Sequence, residues 1–185
     1  MPKYTNSWFE ITGKANFEKY VLPLKEMSNL NFLEVGCYEG QTSNWLLNNT
    51  NAELTVVDTF EGGQDLPQEI DLLQRFKNNT EAHKNRIRII KGKSQVFLKS
   101  EELVTGEFNF AYIDGSHLAG DTLEDAVLAF RLLRKGGIMI FDDYTWGVGL
   151  GFYDIPRTGI DAFILVFGNQ LEVLERNSQM VIRKM

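Results

Sequence analysis

Short apolar runs alternate along this chain with longer segments in which apolar residues recur every three or four positions. The short runs have the length and β-branched content of buried strands, and the longer segments have the period of amphipathic helices. The predicted strands are residues 31–35, 54–57, 86–90, 108–113 and 137–141. The predicted helices are residues 42–48, 68–78, 94–102, 122–133 and 160–167. The elements therefore form five successive strand–helix pairs.

The end of the chain departs from this alternation. Two short apolar runs, residues 171–174 and 180–183, are separated by a joint too short for a parallel crossover, so they predict an antiparallel hairpin. Strand–helix alternation predicts a parallel sheet covered by helices on both faces. We therefore predict an α/β fold with a Rossmann-like, doubly wound, mostly parallel sheet. A C-terminal antiparallel hairpin closes that sheet.

Length and composition favour one domain. The 185 residues are enough for a single core, with residues 1–30 as an N-terminal helical segment and residues 31–185 as the Rossmann-like core. Apolar residues make up 43% and charged residues 24%, as in ordinary globular proteins. Every apolar run is much shorter than the roughly 20 residues that cross a bilayer. The N-terminus has no signal-peptide pattern and Cys37 is the single cysteine, so we expect a cytoplasmic protein without membrane contact.

The formal net charge is −6, and the chain has no cluster of lysine and arginine. Binding of nucleic acid needs a basic patch that neutralises phosphates, so we expect no nucleic-acid partner. A small-molecule substrate is the remaining expectation, and a homodimer is one way for so short a chain to close its site.

A glycine-containing loop follows the first predicted strand. Glu34 lies in this strand, and Gly36 and Gly40 flank three residues before the next helix. Glycines allow the backbone to turn tightly and to approach a ligand closely. The spacing is not the G-x-G-x-x-G of dinucleotide binding, whose glycines serve a pyrophosphate. An acid at Glu34 would repel a pyrophosphate but is tolerable with a cofactor that has no phosphate and carries a positive sulfonium. The loop resembles motif I of class I methyltransferases, which implies S-adenosylmethionine; a simple strand-to-helix turn is the alternative.

Two further residues at strand ends are candidates for cofactor binding. Asp58 ends the second strand, where a carboxylate can accept both ribose hydroxyls, although a solvated turn aspartate is the alternative. Ser94 follows the third strand and is placed to reach the adenosine or, equally, to cap the next helix.

Three carboxylates follow the fourth and fifth strands. Asp114 ends the fourth strand, where it is also a candidate for cofactor binding, and Asp142 and Asp143 end the fifth. The carboxyl ends of neighbouring parallel strands meet at one edge, so three negative charges share a small volume. This is unfavourable unless a cation neutralises them or some are protonated. Oxygen-only ligands suit a hard divalent ion such as Mg²⁺.

These segments carry a family resemblance. Residues 114–117, together with Gly136-Gly137 and Asp142-Asp143-Tyr144, resemble methyltransferase domain 24 proteins. They are similar, more distantly, to metal-dependent O-methyltransferases of catechols, caffeoyl thioesters and macrolide or aminocoumarin sugars. The resemblance covers residues 32–144, with a weaker echo at 156–161. It implies that Asp114, Asp142 and Asp143 bind Mg²⁺. One departure is Ser116, which stands where the sugar enzymes carry a second acid.

His117 is the candidate general base, because histidine titrates near neutrality and this one lies three residues from a proposed ligand. It can alternatively serve only as a hydrogen-bonding partner of Asp114 or Asp142. Aromatic residues after the acidic pair, including Trp146, are candidates for a substrate wall or lid, with core packing as the alternative.

Several functions stay open. The first is an S-adenosylmethionine-dependent methyltransferase that methylates a hydroxyl of a small molecule, of sugar, glycan or natural-product type, with a divalent metal and with Asp114 and His117 in catalytic roles. The second is a metal-independent methyltransferase with His117 as base. The others are a non-catalytic cofactor-binding scaffold and a nicotinamide dehydrogenase.

Overall fold

A central sheet of seven strands organises the protein. The computed structural model describes residues 1–62, 70–100 and 103–185. The strands are β1 (Asn31–Val35), β2 (Glu53–Asp58), β3 (Ile87–Lys91), β4 (Phe108–Ile113), β5 (Leu133–Phe141), β6 (Leu171–Arg176) and β7 (Met180–Lys184). Their order in the sheet is β3-β2-β1-β4-β5-β7-β6.

The first five strands are parallel to one another, and β7 runs in the opposite direction between β5 and β6. β7 pairs antiparallel with both β5 and β6. The predicted fold class and the C-terminal hairpin are therefore confirmed. β2 and β3 lie on one side of β1, and β4 and β5 lie on the other, so the direction of strand addition changes between β1 and β4. Ligands of such sheets bind at this switch point, outside the carboxyl ends of the strands.

Helices cover both faces of the sheet. The N-terminal helix α1 (residues 9–21) has turns of π, α and again π geometry, which are Phe9–Gly13, Lys14–Asn16 and Phe17–Val21. The other helices are α2 (Gln41–Asn49), α3 (Leu72–Thr80), α4 (Ser94–Phe97), α5 (Ala119–Leu132) and α6 (Pro156–Phe167). Short 3₁₀ turns are Leu22–Glu26, Glu81–Arg86, Phe152–Asp154 and Gly168–Gln170.

Alternation along the strands creates two buried cores. Leu33 and Val35 of β1 pack with α5 and α6 on one face. Phe32, on the opposite face, packs with apolar residues of α1, α2 and α3. Successive side chains of a strand point to opposite faces of the sheet, so neighbouring residues pack against different sets of helices.

Several element boundaries differ from the predictions. α3 begins at Leu72 instead of residue 68, because Asp71 caps it by accepting the Gln74 N–H at 2.9 Å; residues 68–69 lie outside the described ranges. α4 ends at Phe97, and the predicted end at 102 also lies outside those ranges. α6 begins at Pro156, whose fixed φ suits a first helical turn.

The fifth strand also starts early. β5 begins at Leu133, four residues before the predicted start, and α5 leads into it without a loop. Leu133 pairs with Phe108, and the register then shifts before Phe110 pairs with Ile138. The shift accommodates the extra residues of β5 around Gly136 and Gly137.

No helix within the described ranges is both long and apolar enough to cross a membrane.

Candidate active site

The loop between β1 and α2 is tightly held at the carboxyl edge of the sheet. Gly36 has φ +80°, and a Cβ atom at this position would lie 1.9 Å from the backbone oxygen of Asp114. Its N–H donates to Val57 O at 2.9 Å, while the Asp114 N–H donates to Val35 O at 2.8 Å. Glycine is therefore required at position 36 by both backbone conformation and close approach.

Gly40 has a different neighbour. It adopts φ +82°, and a Cβ atom there would lie 2.9 Å from the ring of Phe76 in α3. This glycine lets α2 begin and α3 pack against the loop. Its contact with a cofactor stays a prediction.

Glu34 lies beneath the loop. Its side chain is fully buried, and Ser43 of α2 donates a hydrogen bond of 2.5 Å to Oε2. Within the described part of the chain, Oε1 has no hydrogen-bond partner. Burial raises the pKa of this carboxyl to about 8. Glu34 is thus mainly neutral near pH 7, whereas the sequence interpretation treated it as a negative charge that a sulfonium cofactor tolerates.

Asp58 organises the same loop. Its Oδ2 accepts the N–H groups of Cys37 at 2.8 Å and Tyr38 at 3.0 Å, and its Oδ1 accepts the Phe60 N–H at 2.6 Å. A carboxylate has about four lone-pair positions, so these three bonds leave capacity for one more donor. Asp58 is therefore more than a solvated turn residue. Its predicted contact with both ribose hydroxyls needs one of these bonds to be shared or exchanged.

Ser94 is the first residue of α4, and Lys93 occupies the capping position. The Ser94 hydroxyl donates to Asp125 Oδ1 at 2.6 Å. Asp125 is almost fully buried in α5, and burial raises its pKa to about 6. The N-cap alternative for Ser94 was therefore wrong, because Ser94 lies within the first turn of α4 and Lys93 precedes it at the capping position. A contact with adenosine stays a prediction.

Two of the three predicted cation ligands share a tyrosine. The Tyr112 hydroxyl lies 3.3 Å from Asp114 Oδ2 and forms a short hydrogen bond with Asp142 Oδ2. Asp142 Oδ1 accepts the Asp143 N–H at 2.9 Å and the Gln179 side-chain amide at 3.2 Å. Burial, followed by the nearby charge of Asp142, raises the pKa of Asp114 well above its usual range. Burial, followed by the charge of Asp143, raises the pKa of Asp142.

His117 joins the acids. Its Nε2 lies 2.8 Å from Asp143 Oδ2, and its ring centroid lies 4.3 Å from that of Trp146. Single ligand atoms of Asp114, His117 and Asp143 all lie within 4.8 Å of one another. Asp143 has φ +56°, a strained conformation for a residue with a Cβ, and such strain often marks functional sites. The converging group therefore contains His117, while Asp142 is directed toward Tyr112 and Gln179.

These residues fit a divalent cation. Carboxylate oxygens are the preferred ligands of Mg²⁺, and imidazole is tolerated by softer divalent metals. Burial, and after it neighbouring negative charge, raises the pKa values of Asp114 and Asp142, and a positive ion between the carboxylates would relieve the repulsion among them.

The N-terminal segment approaches the loop between β1 and α2. Thr5 donates to the buried carboxylate of Glu39 from its N–H at 2.5 Å and from its hydroxyl at 2.8 Å. The Trp8 ring centroid lies 6.0 Å from that of Tyr38. Phe9, in contrast, is buried against Phe17, and both rings pack α1 against the core.

Sequence reasoning missed Tyr112, Gln179 and Asp125. The role of Tyr112 could have been inferred from the strand pattern of residues 108–113. Tyr112 lies two residues before Asp114, so the two side chains lie on the same face at the end of this strand. Gln179 and Asp125 had no such local signal, because their partners are far away in the sequence.

Comparisons with known proteins agree with this architecture. A family model described as a methyltransferase domain matches residues 33–144. A comparison with curated proteins finds no match. A Klebsiella pneumoniae protein with a provisional O-methyltransferase assignment is similar in structure, with a TM-score of 0.71 and 15% identity over 100% of this chain and 83% of that chain.

Two other solved structures are similar. MycE methyltransferase of the mycinamycin biosynthetic pathway, in complex with Mg, S-adenosyl-L-homocysteine and mycinamycin VI, has a TM-score of 0.67 and 14% identity over 98% of this chain and 50% of that chain. The N-methyltransferase NodS of Bradyrhizobium japonicum, in complex with S-adenosyl-L-homocysteine, has a TM-score of 0.60 and 16% identity over 98% of this chain and 93% of that chain. At these identities the likeness shows the fold.

The family model covers more than half of the chain, including the glycine loop and all four residues of the acidic and histidine site. This removes the nicotinamide dehydrogenase alternative. The chain belongs to the methyltransferase domain 24 family of class I S-adenosylmethionine-dependent methyltransferases.

Proposed function

We propose that this methyltransferase methylates a hydroxyl oxygen of a small molecule with the assistance of a divalent cation, Mg²⁺ being the first candidate. The observation that carries the proposal is the convergence of Asp114, His117 and Asp143 ligand atoms within 4.8 Å of one another. They lie at the carboxyl ends of β4 and β5, beside the switch point where this fold binds ligands. The complex of MycE with Mg and a mycinamycin supports the same class of reaction.

The cofactor side of the site is the β1–α2 loop. S-adenosylmethionine, when bound, supplies an electrophilic methyl group. Gly36 keeps the loop backbone against Asp114, and Asp58 holds the loop through the N–H groups of Cys37 and Tyr38. This arrangement fixes the backbone before the cofactor arrives, which reduces the entropy lost on binding. Glu34, Gly40 and Ser94 complete the proposed cofactor site.

The acceptor side is the acidic edge. A divalent cation, when bound, lowers the pKa of a hydroxyl group that it contacts. Asp114 and Asp143 would hold it through their carboxylate oxygens, which the convergence of their ligand atoms supports, with Asp142 adjacent and fixed by its own hydrogen bonds. In this proposal His117 accepts the hydroxyl proton at a ring nitrogen. Asp143 and the Trp146 ring restrict the orientation of its imidazole.

One observation favours a second candidate, a metal-independent methyltransferase. The 2.8 Å pair between His117 Nε2 and Asp143 Oδ2 is a carboxylate–imidazole pair that can support general base catalysis without a cation. In that case Asp143 orients His117 and stabilises its charged form. The two candidates differ in whether a chelator abolishes methyl transfer.

Transfer of a labelled methyl group tests the proposal. Labelled S-adenosylmethionine is incubated with a panel of hydroxylated sugars, phenols and macrolides, with Mg²⁺ or with EDTA. We expect label in an acceptor only with Mg²⁺ for the wild type, and a loss of about 100-fold or more in His117→Ala. An Asp142→Asn/Asp143→Asn double variant should be inactive under both conditions.

Equal transfer in EDTA and Mg²⁺, with the loss in His117→Ala retained, would replace this mechanism by the metal-independent one. Methylation confined to amine acceptors would overturn the assignment to oxygen. Arg157→Ala serves as a control, because its guanidinium pairs with Asp161 in an exposed contact outside the cluster.

A further inference from the structure

A buried amide links the C-terminal hairpin to the acidic edge. Gln179, immediately before β7, is completely buried. Its Nε2 donates to Asp142 Oδ1 at 3.2 Å, and its Oε1 accepts a hydrogen bond of 2.9 Å from Asn16 Nδ2 of α1. Both ends of one side-chain amide are therefore used, by residues that are distant in the sequence.

The orientation of this amide is determined by its partners. Asp142 Oδ1 also accepts the Asp143 N–H, so the nitrogen end of Gln179 must face it. At the other end, Asn16 is almost fully buried and exchanges side-chain hydrogen bonds with Asn177, at 3.1 Å and 3.4 Å. The chain of amides from Asn177 through Asn16 to Gln179 thus ends in a single donor directed at Asp142.

Asp142 has little freedom as a result. Tyr112 donates to its Oδ2, while Gln179 and the Asp143 N–H donate to its Oδ1. Donors on both oxygens fix the rotation of a carboxylate and disperse its charge, which matters because Asp114 and Asp143 are close by. Asp142 in turn holds the proposed ligands, through the Asp143 N–H and through Tyr112, whose hydroxyl also lies 3.3 Å from Asp114 Oδ2. Hydrogen-bonding partners of cation ligands commonly account for 10–100-fold in affinity, roughly, for the bound metal.

We infer that Gln179 is a positioning residue that sets the orientation of Asp142 at the cation site, and that Asn16 in turn sets the orientation of Gln179. The inference rests on the proposed function, because it concerns the divalent cation of that site. It extends the functional machinery to α1 and to the turn between β6 and β7, neither of which contributes a ligand. It also explains why a glutamine is fully buried at the start of an apolar strand.

Calorimetric titration of Mg²⁺ tests the inference without an activity assay, and titration of S-adenosylhomocysteine provides a second readout on the same samples. Gln179→Met keeps the length of the side chain and removes both hydrogen bonds. We expect the Mg²⁺ Kd to rise by about 10-fold or more, with an unchanged Kd for S-adenosylhomocysteine. Ser178→Ala is the matched control in the same turn, since the Ser178 hydroxyl bonds only Thr12 O among the contacts described; both Kd values should stay at the wild-type level.

Asn16→Asp gives an independent arm. A carboxylate at position 16 accepts from Nε2 of Gln179, which turns the amide so that its oxygen faces Asp142. Mg²⁺ binding should weaken although Gln179 is still present. Wild-type Mg²⁺ affinity in both variants would overturn the inference, as would an equal loss of S-adenosylhomocysteine affinity, which indicates general structural damage. An absence of Mg²⁺ binding in the wild type would instead overturn the cation-assisted function itself, and the inference with it.

Discussion

The backbone oxygen of Asp114 occupies the space beside Gly36 so closely that a Cβ atom on the glycine would lie 1.9 Å from it. One residue belongs to the proposed cofactor loop and the other to the proposed cation site. The two halves of the active site are therefore joined by direct backbone contact between the ends of β1 and β4. A change in the loop is expected to displace Asp114, and the first prediction follows from this.

Gly36→Ala should destabilise the protein and abolish cofactor binding. A left-handed backbone costs a non-glycine residue about 1–2 kcal/mol, and the clash with Asp114 adds to this. We expect the free energy of unfolding to fall by at least about 2 kcal/mol in urea denaturation. Gly120→Ala is the control, because Gly120 is exposed in α5 and has no atoms within 4 Å of its Cβ position. Wild-type stability of Gly36→Ala would show that the loop is placed differently.

Asp58→Asn should weaken cofactor binding. Three backbone N–H groups converge on the carboxylate, and an amide offers only one acceptor oxygen, so at least one N–H of the loop loses its partner. Isothermal titration of S-adenosylhomocysteine should show a rise in Kd of about 10-fold or more, corresponding to one lost hydrogen bond to a charged group. Asp71→Asn is a matched control, since Asp71 accepts a single N–H as the cap of α3 and asparagine caps equally well. Equal Kd values for the two variants would contradict the role of Asp58.

The buried carboxyl of Glu34 should make stability depend on pH. Its pKa is about 8 in the folded protein, against about 4.3 in an unfolded chain. Between these values the folded state holds a proton that the unfolded state has released, so stability is lost as the pH rises from about 4.3 through about 8. Glu34→Gln removes this titration while Ser43 can still donate to the amide oxygen.

The measurement is urea denaturation of both proteins from about pH 5 to about pH 9. The free energy of unfolding of the variant, relative to that of the wild type, should increase with pH by an amount on the order of a few kcal/mol. A constant difference in the free energy of unfolding between the two proteins across this range would contradict the raised pKa and the burial of Glu34.

The fold was predictable because its signals are local and repeated. The strand lengths, the helical periods and the short joint between residues 174 and 180 each depend on neighbouring residues, and together they leave few topologies. The boundaries that were wrong depend on distant contacts. The early start of β5 follows from the pairing of Leu133 with Phe108, which no local pattern encodes.

For the candidate site, the sequence was sufficient to predict which strands are followed by acidic residues. The convergence of Asp114 and Asp143 follows from parallel neighbours in one sheet, and sequence reasoning found it. The partners of these acids were not predictable. Asp142 bonds Gln179 and Tyr112, and Ser94 bonds Asp125, because packing of α1, α5 and the hairpin brings them together. The sequence interpretation treated Asp114, Asp142 and Asp143 as three equivalent ligands. In the structure Asp114 and Asp143 converge with His117, whereas Asp142 is held by Tyr112 and Gln179.

Calorimetric titration of Mg²⁺ into the wild type, Asp143→Asn and Asp161→Asn, each saturated with S-adenosylhomocysteine, tests directly whether the acidic edge binds a divalent cation. Asp161 is the control, because it is a nearby acid that accepts a hydrogen bond from Tyr144 and lies outside the converging group. We predict one Mg²⁺ site in the wild type and in Asp161→Asn, and at least a 10-fold weaker site, roughly, in Asp143→Asn. Undetectable Mg²⁺ binding in the wild type, or equal binding in all three proteins, would contradict this prediction.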